Sequence, residues 1–292
     1  MPSRWDVHLC IETLDGVMPD HIHGLACRWL EPGHDQAAHR ANSKPWAISP
    51  LRYDADSGIW VLELGVIDDA LIPPMLDALE ADCERSLHLN GHETAIVRHS
   101  GGLPAVPTIL AEWSDLIDAA GADPADVMSL DFLSPTTFRQ DAVFHPLPVA
   151  SSVFGHYRRR WRDWGPPGSE PDLDFREVTI SAAEFELRSA EYPTKRGSHV
   201  PVGVVGRAVF RIHSGERSHH RAFTQLAQVA QFTGTGANTP LGMGVTEAQP
   251  LVDHRSPSGT PGRRGGAAHT RRSVGGGHRS AGGAASGRRG SS

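Results

Sequence analysis

At 292 residues the chain has room for one large domain or two small ones, and two is the better expectation at this length. Its three cysteines, Cys10, Cys27 and Cys83, are widely spaced with no C-x-x-C pair, so neither a disulfide framework nor a zinc site is suggested, and no metal or cofactor is expected. The 28 Lys and Arg face 34 Asp and Glu, and eight of the arginines follow residue 250 against Asp253 alone, which leaves residues 1–250 with 20 basic and 33 acidic side chains, net −13. That balance runs against the basic footprint of an ordinary nucleic-acid binder. No apolar run approaches the ~20 residues of a membrane helix, and MPSRWDVHLC lacks a signal-peptide layout. A soluble, cytoplasmic protein is expected.

Arg4–Leu14 alternates through Trp5, Val7, Leu9 and Ile11 and predicts a strand. Pro19 and Asp20 open a helix over His21–Leu30, closed by Pro32-Gly33, and a mixed helix-like and loop-like segment, HDQAAHRANSKP, follows. Trp46–Tyr53 and Ile59–Ile67 are strands joined by a turn at residues 54–58. Asp68-Asp69 caps a helix to about Arg85, with Leu71, Met75, Leu79 and Cys83 at intervals of four and Pro73-Pro74 tolerated in the first turns. Leu87–Val97 is a last strand. The order is βαββαβ, a ferredoxin-like half over residues 1–104.

Residues 105–124 are expected to link the halves, with a helix over Ile109–Ala119. The pattern then recurs over 125–250. Val127–Ser134 is a strand and Pro148–Trp164 a helix. Phe175–Glu191 and Val200–Ile212 form a long hairpin with a parity switch, and hence a bulge, near 182–183. His219–Phe232 is a helix. The fold class is α+β, two tandem ferredoxin-like domains. From 251 to 292 the chain becomes Gly, Ser, Arg and Ala with no apolar period, a composition expected to be disordered. It reads either as an inert extension or as an RGG-like arm that adds RNA affinity.

Between the last helix and a short closing strand lies TGTGANTPLGMGV, residues 233–245. Gly234 and Gly236 mirror Gly242 and Gly244 around Asn238 and Pro240. Glycine admits positive φ and close backbone approach, so the loop's N–H groups can converge on an anion. The bland alternative is a helix C-cap followed by a turn. No Gly-Lys-Ser/Thr closes the loop and no strand precedes it, so it is neither a P-loop nor a Rossmann turn.

Other residues carry bland and functional readings side by side. His156-Tyr157-Arg158-Arg159-Arg160-Trp161-Arg162 is the densest basic and aromatic cluster before the tail. Tyr157 and Trp161, at i,i+4, form its buried side, and its arginines, Arg158 and Arg159 first, are candidates for RNA phosphate or a plain solvated face. His21-x-His23 reads as ordinary helix and His219-His220 as a solvated helix start. Arg207 and Arg211 leave the core side of their strand.

Three landmarks converge: Ala38-His39 with Lys44-Pro45-Trp46 after the first helix, Asp131-Phe132-Leu133-Ser134-Pro135-Thr136-Thr137-Phe138-Arg139 opening the second half, and the glycine loop. In this order the chain resembles, over about residues 5–248, the CRISPR-associated repeat-processing endoribonucleases of the RAMP superfamily (the Cas six family). The resemblance implies metal-independent cleavage of repeat RNA (pre-crRNA) by 2′-hydroxyl attack, leaving a 2′,3′-cyclic phosphate and a 5′-hydroxyl. It implies His39 for the proton transfers and Lys44 for positive charge at phosphorus. RNA contacts fall to the loop's Gly234, Gly236, Asn238, Gly242 and Gly244, to Arg139, and to Lys195 and Arg196 at the hairpin tip. Other Cas proteins of an effector complex are implied as partners. The family's frequent tyrosine in the first helix is missing, and Arg28, His23 or His34 are candidates to replace it. A catalytically silent RNA-binding RAMP subunit is the alternative, and a small-molecule or nucleotide-binding ferredoxin-like protein, favoured by the acidic balance, is a third.

Overall fold

The computed structural model describes residues 1–31, 43–141, 143–194 and 200–251. His34, His39, Lys195, Arg196 and the tail from residue 252 lie outside the described residues. The first half contains β1 (Ser3–Ile11), α1 (Pro19–Leu30), β2 (Trp46–Ile48), β3 (Arg52–Asp54), β4 (Ile59–Val66), α2 (Ile72–Cys83), β5 (Leu87–Leu89) and β6 (His92–Val97). Alternation in β1 buries Trp5, Val7, Leu9 and Ile11 and turns Arg4, Asp6 and His8 to the other face. The helices cover the apolar side with Ile22, Ala26, Trp29 and Leu30 from α1 and with Met75 and Leu79 from α2. The sheet runs β2-β4-β1-β6-β5, all antiparallel.

Three features differ from the periodicity reading. The expected strand Trp46–Tyr53 splits at Ser49-Pro50 into β2 and β3, both on β4, because proline cannot continue a ladder. The expected strand Leu87–Val97 is a hairpin, folded at Asn90 and Gly91, which both have positive φ. The expected linker 105–124 is built structure. Its first part, β7 (Val106–Leu110), pairs with Ser3–Asp6 of β1, along the same edge that β6 occupies further on. The second part, α3 (Trp113–Ala122), sits a few residues later than expected.

The second half contains β8 (Val127–Thr136), β9 (Phe138–Gln140), β10 (Val143–His145), α4 (Ala150–Trp164), β11 (Thr179–Glu191), β12 (Val202–His213), α5 (Arg217–Gln228), the single turn α6 (Ala230–Thr233) and β13 (Thr246–Pro250). Its sheet, β11-β12-β8-β13, repeats the strand order of the first half. The two halves are tandem ferredoxin-like domains. The register of β11 on β12 shifts between Ala182 and Glu184, which is the bulge read from the parity switch. Phe132, Phe154, Tyr157, Trp161, Phe210, Phe223 and Phe232 fill the second core, each such side chain contributing roughly 1.5–3 kcal/mol of burial. Ile67, just past β4, packs into this second core. No helix among the described residues is long and apolar enough to cross a membrane.

Candidate active site and nucleic-acid interface

The glycine loop and the Ser134–Arg139 segment are a hundred residues apart in sequence and form one unit in space. Ser134 Oγ accepts from the Val245 N–H at 2.9 Å, the Pro135 carbonyl from Gly244 at 3.1 Å and the Thr137 carbonyl from Ala237 at 2.7 Å. Across the loop, Thr235 N–H donates to the Gly244 carbonyl at 2.7 Å. Tyr157, fully buried on α4, shares a 2.5 Å hydrogen bond with Thr235 Oγ1 from below.

Gly234, Gly236, Gly242 and Gly244 all have positive φ, and so does Asn238 at 60°. Gly244 shows why. At φ +74° a Cβ there would stand 2.1 Å from the Thr235 carbonyl oxygen, so a side chain would meet backbone that cannot yield. Most of the loop's N–H groups are thus satisfied internally. The N–H groups of Gly236 and Asn238, at its half-exposed tip, find no acceptor among the described residues. The amides left available to an anion are at this tip, a narrower feature than converging amides along the loop's length.

The first half meets the loop through α1 and the start of β2. His23 Nδ1 lies 2.8 Å from the Pro240 carbonyl, and its ring stacks on Trp46 at 5.7 Å. Lys44 is buried and its ammonium bonds the equally buried Glu31 at 2.5 Å. These two residues bracket the segment that carries His39. Burial and the Glu31 carboxylate together push the Cys27 thiol up to about 12, which removes it as a thiolate nucleophile.

Sequence reasoning passed over the residue that ties these parts together. Arg160, turned inward from α4, donates to the Lys44 carbonyl, to Ser43 Oγ at 3.1 Å and to Thr239 Oγ1 at 3.3 Å. It also reaches His156 Nε2 at 3.5 Å. Burial lowers its guanidinium to about 10, still charged at neutral pH. Burial and the neighbouring Arg160 and Arg159 hold the His156 imidazole well below its ordinary value. The signal was available: Arg160 is one residue before buried Trp161 and three after buried Tyr157, inside the apolar arc of the helix.

The remaining site residues divide. Arg159 is exposed, whereas Arg158 is held by Glu170 at 2.7 Å and the Leu173 carbonyl at 3.2 Å. Arg139 is exposed and, among the described residues, bonds only the Asp141 carbonyl, at 2.9 Å. Arg28, offered in place of the absent tyrosine, pairs with buried Asp82 at 2.6 Å. His23 is the described candidate that reaches the loop. Tyr192, at the end of β11, donates to the Leu241 carbonyl at 2.7 Å, and burial raises its phenol. His219 and His220 bond Ser214 and Asp126 at the start of α5. Arg207 pairs with Asp131 across the sheet at 3.0 Å. Among the described residues, no three His, Cys, Asp or Glu side chains gather as a metal site would.

Two tandem ferredoxin-like domains, with a glycine loop after the last helix of the second, frame the candidate site. The family described as CRISPR-associated endoribonuclease Cas6 matches residues 130–246, the span from β8 to β13. Among solved structures, the chain is similar to a Cas6 (TTHB231) product complex, with 28% identity over 86% of this chain and 99% of that one and a TM-score of 0.70. A further match is Thermus thermophilus Cas6 (TTHB231), at 25% identity over 85% and 98% of the two chains with a TM-score of 0.62. A Cas6 (TTHA0078) product complex shares the fold at 20% identity, over 85% and 99% of the chains, with a TM-score of 0.66. No curated protein matches by sequence. The likeness to Cas6 thus holds in sequence over residues 130–246 and in structure over 86% of the chain.

Proposed function

We propose that the protein is an endoribonuclease that cleaves CRISPR repeat RNA into guide RNAs without a metal ion. The 2′-hydroxyl attacks the adjacent phosphorus, leaving a 2′,3′-cyclic phosphate and a 5′-hydroxyl. His39 moves the proton, since an imidazole near its unperturbed pKa of ~6.5 serves as base or acid at neutral pH. Lys44 supplies positive charge to the pentacoordinate phosphorus by exchanging Glu31 for phosphate. His23, against the loop, stands in the third position left open by the absent tyrosine. Arg139, Arg159, the tip of the glycine loop, and Lys195 and Arg196 hold the RNA. Other Cas proteins of an effector complex are proposed as partners.

The observation that carries this reading is the Arg160 clamp. It fixes Ser43 and Lys44, at one end of the His39 segment, to Thr239 of the glycine loop. The clamp thus joins the Lys44 end of the sequence stretch that contains His39 to the loop proposed to hold RNA, which supports assigning the proton transfers to that stretch. The test is repeat RNA from the neighbouring array incubated with wild-type and His39→Ala protein in EDTA. The wild type should release a 5′-hydroxyl product, and His39→Ala should slow cleavage by about 10²–10⁴-fold while binding the RNA equally well. Cleavage by His39→Ala at the wild-type rate removes that residue from the mechanism. Binding without any cleavage by the wild type leaves an RNA-holding subunit instead.

A further inference from the structure

The short β9–β10 hairpin was not legible in the sequence, and it presents more to the RNA side than Arg139 alone. It folds out from the end of β8 directly beside the glycine loop. Thr137, its first neighbour, accepts the Ala237 N–H with its carbonyl and donates its hydroxyl to the His145 carbonyl at 3.3 Å. The hairpin base is thus stapled to the loop next to the unpaired N–H groups of Gly236 and Asn238.

Register fixes which side chains it presents. Phe138 lies opposite His145, and Arg139 opposite Phe144. Opposed residues of an antiparallel pair share a face, with Cβ atoms about 4.5–5.5 Å apart. Phe138 is buried at 6% exposure, whereas His145 opposite it and Val143 further along that face are exposed. Arg139 and Phe144 share the opposite face, where both are exposed, Phe144 at 41%. Among the described residues Arg139 makes no ion pair, and it gives its Nε–H to the hairpin's own Asp141 carbonyl. An exposed phenyl ring, an arginine beside it and free backbone N–H groups at the adjoining tip are the parts of a single-stranded nucleotide site: ring for base, cation and amides for phosphate. A lone apolar contact with protein has no use for the cation or the amides.

Resting on the function proposed above, we infer that the Arg139/Phe144 face of the β9–β10 hairpin is a stacking platform for one unpaired nucleotide of the RNA that lies on the glycine-loop tip. The base stacks on Phe144, and its phosphate is shared by Arg139 and the Gly236 and Asn238 N–H groups. Because stacking accepts any π-face, the platform fixes the position of an unpaired base and is indifferent to its identity.

The test uses the full chain, repeat RNA from the neighbouring array in EDTA at fixed salt, a series of the same RNA with one abasic nucleotide each, and an oligoadenylate of about 12 nucleotides, within single-strand site sizes. Phe144→Ala should weaken binding of the repeat about 10-fold, and Phe144→Trp should retain it. One abasic position should weaken wild-type binding by a similar factor and cost Phe144→Ala nothing further. Phe144 is exposed, so both variants should keep the wild-type thermal midpoint. If Phe144→Ala binds every RNA as the wild type does while the wild type still cuts, the platform is wrong and the function stands. If Phe144→Ala changes only the elution volume of the protein, the face is a protein contact and the platform is equally wrong. A wild type that neither binds nor cuts either RNA overturns both readings.

Discussion

The two ferredoxin-like halves share one strand order, yet they bring different materials to the seam between them. The C-terminal half brings backbone: a loop of positive-φ residues cross-bonded to Ser134, Pro135 and Thr137, with few polar side chains facing outward. The N-terminal half brings ionisable side chains: His23, Glu31 and Lys44. Arg160 is the exception, a C-terminal side chain that reaches across to N-terminal carbonyl and hydroxyl oxygens. The lesson is a division of labour. One half contributes fixed backbone and the other side chains that can carry charge.

The sharpest way to break this comparison is to put a methyl group into the rigid half. Gly244→Ala adds a Cβ at 2.1 Å from the Thr235 carbonyl at a φ of +74°. Left-handed strain of roughly 1–2 kcal/mol and overpacking of roughly 1–3 kcal/mol should together lower stability by about 3 kcal/mol in denaturant titration. Gly24 of α1 is the control in the other half, since a Cβ there meets nothing within 4 Å. Gly24→Ala should stabilise by about 0.5–1 kcal/mol. Equal, small effects at both positions would mean that the loop's packing is soft.

Arg160→Met tests the crossing itself. It leaves the Lys44 carbonyl without this buried donor, and an orphaned buried acceptor costs about 1–3 kcal/mol. The added expectation is functional: the segment after Glu31 loses its tie to Thr239, so cleavage of repeat RNA should fall more than binding does. A parallel loss of both would make Arg160 a general scaffold residue with no special hold on the His39 segment.

These contrasts also explain what the sequence could and could not tell. The long strands β8 and β12, the bulge at 182–183 and the buried pair Tyr157 and Trp161 were legible because periodicity is local. The strand β7 was hidden by Pro107, which demotes a strand reading even though an edge position tolerates it. The hairpin β9–β10 was hidden because three-residue strands carry no period. The glycines were visible, but their role was not. That Gly244 and Pro135 are hydrogen-bonded is a fact about two segments brought together by β8 and β13. Arg160 was masked by its arginine neighbours, which made an inward-facing residue look like part of a solvated face.

The last and smallest effect is one of pH, and it too separates the halves. His156, buried under the loop, is held neutral in the fold, its imidazole well below the ordinary ~6.5. The unfolded chain takes up that proton as pH drops below ~6.5 while the folded chain does not. Stability is therefore full above pH ~6.5 and declines as pH falls toward the depressed folded value, by up to ~1.4 kcal/mol per pH unit. Stability should therefore fall between pH 7.5 and 5 through this group. His8 on the first sheet is lowered as well, by burial and by the neighbouring His99 ring at 3.9 Å, but it is partly open to solvent, which screens its share. Denaturant midpoints measured across that range should flatten clearly in His156→Gln and only slightly in His8→Gln. The reverse order would place the pH-sensitive burial in the N-terminal half and would mean that the loop is wetter beneath than its hydrogen bonds imply.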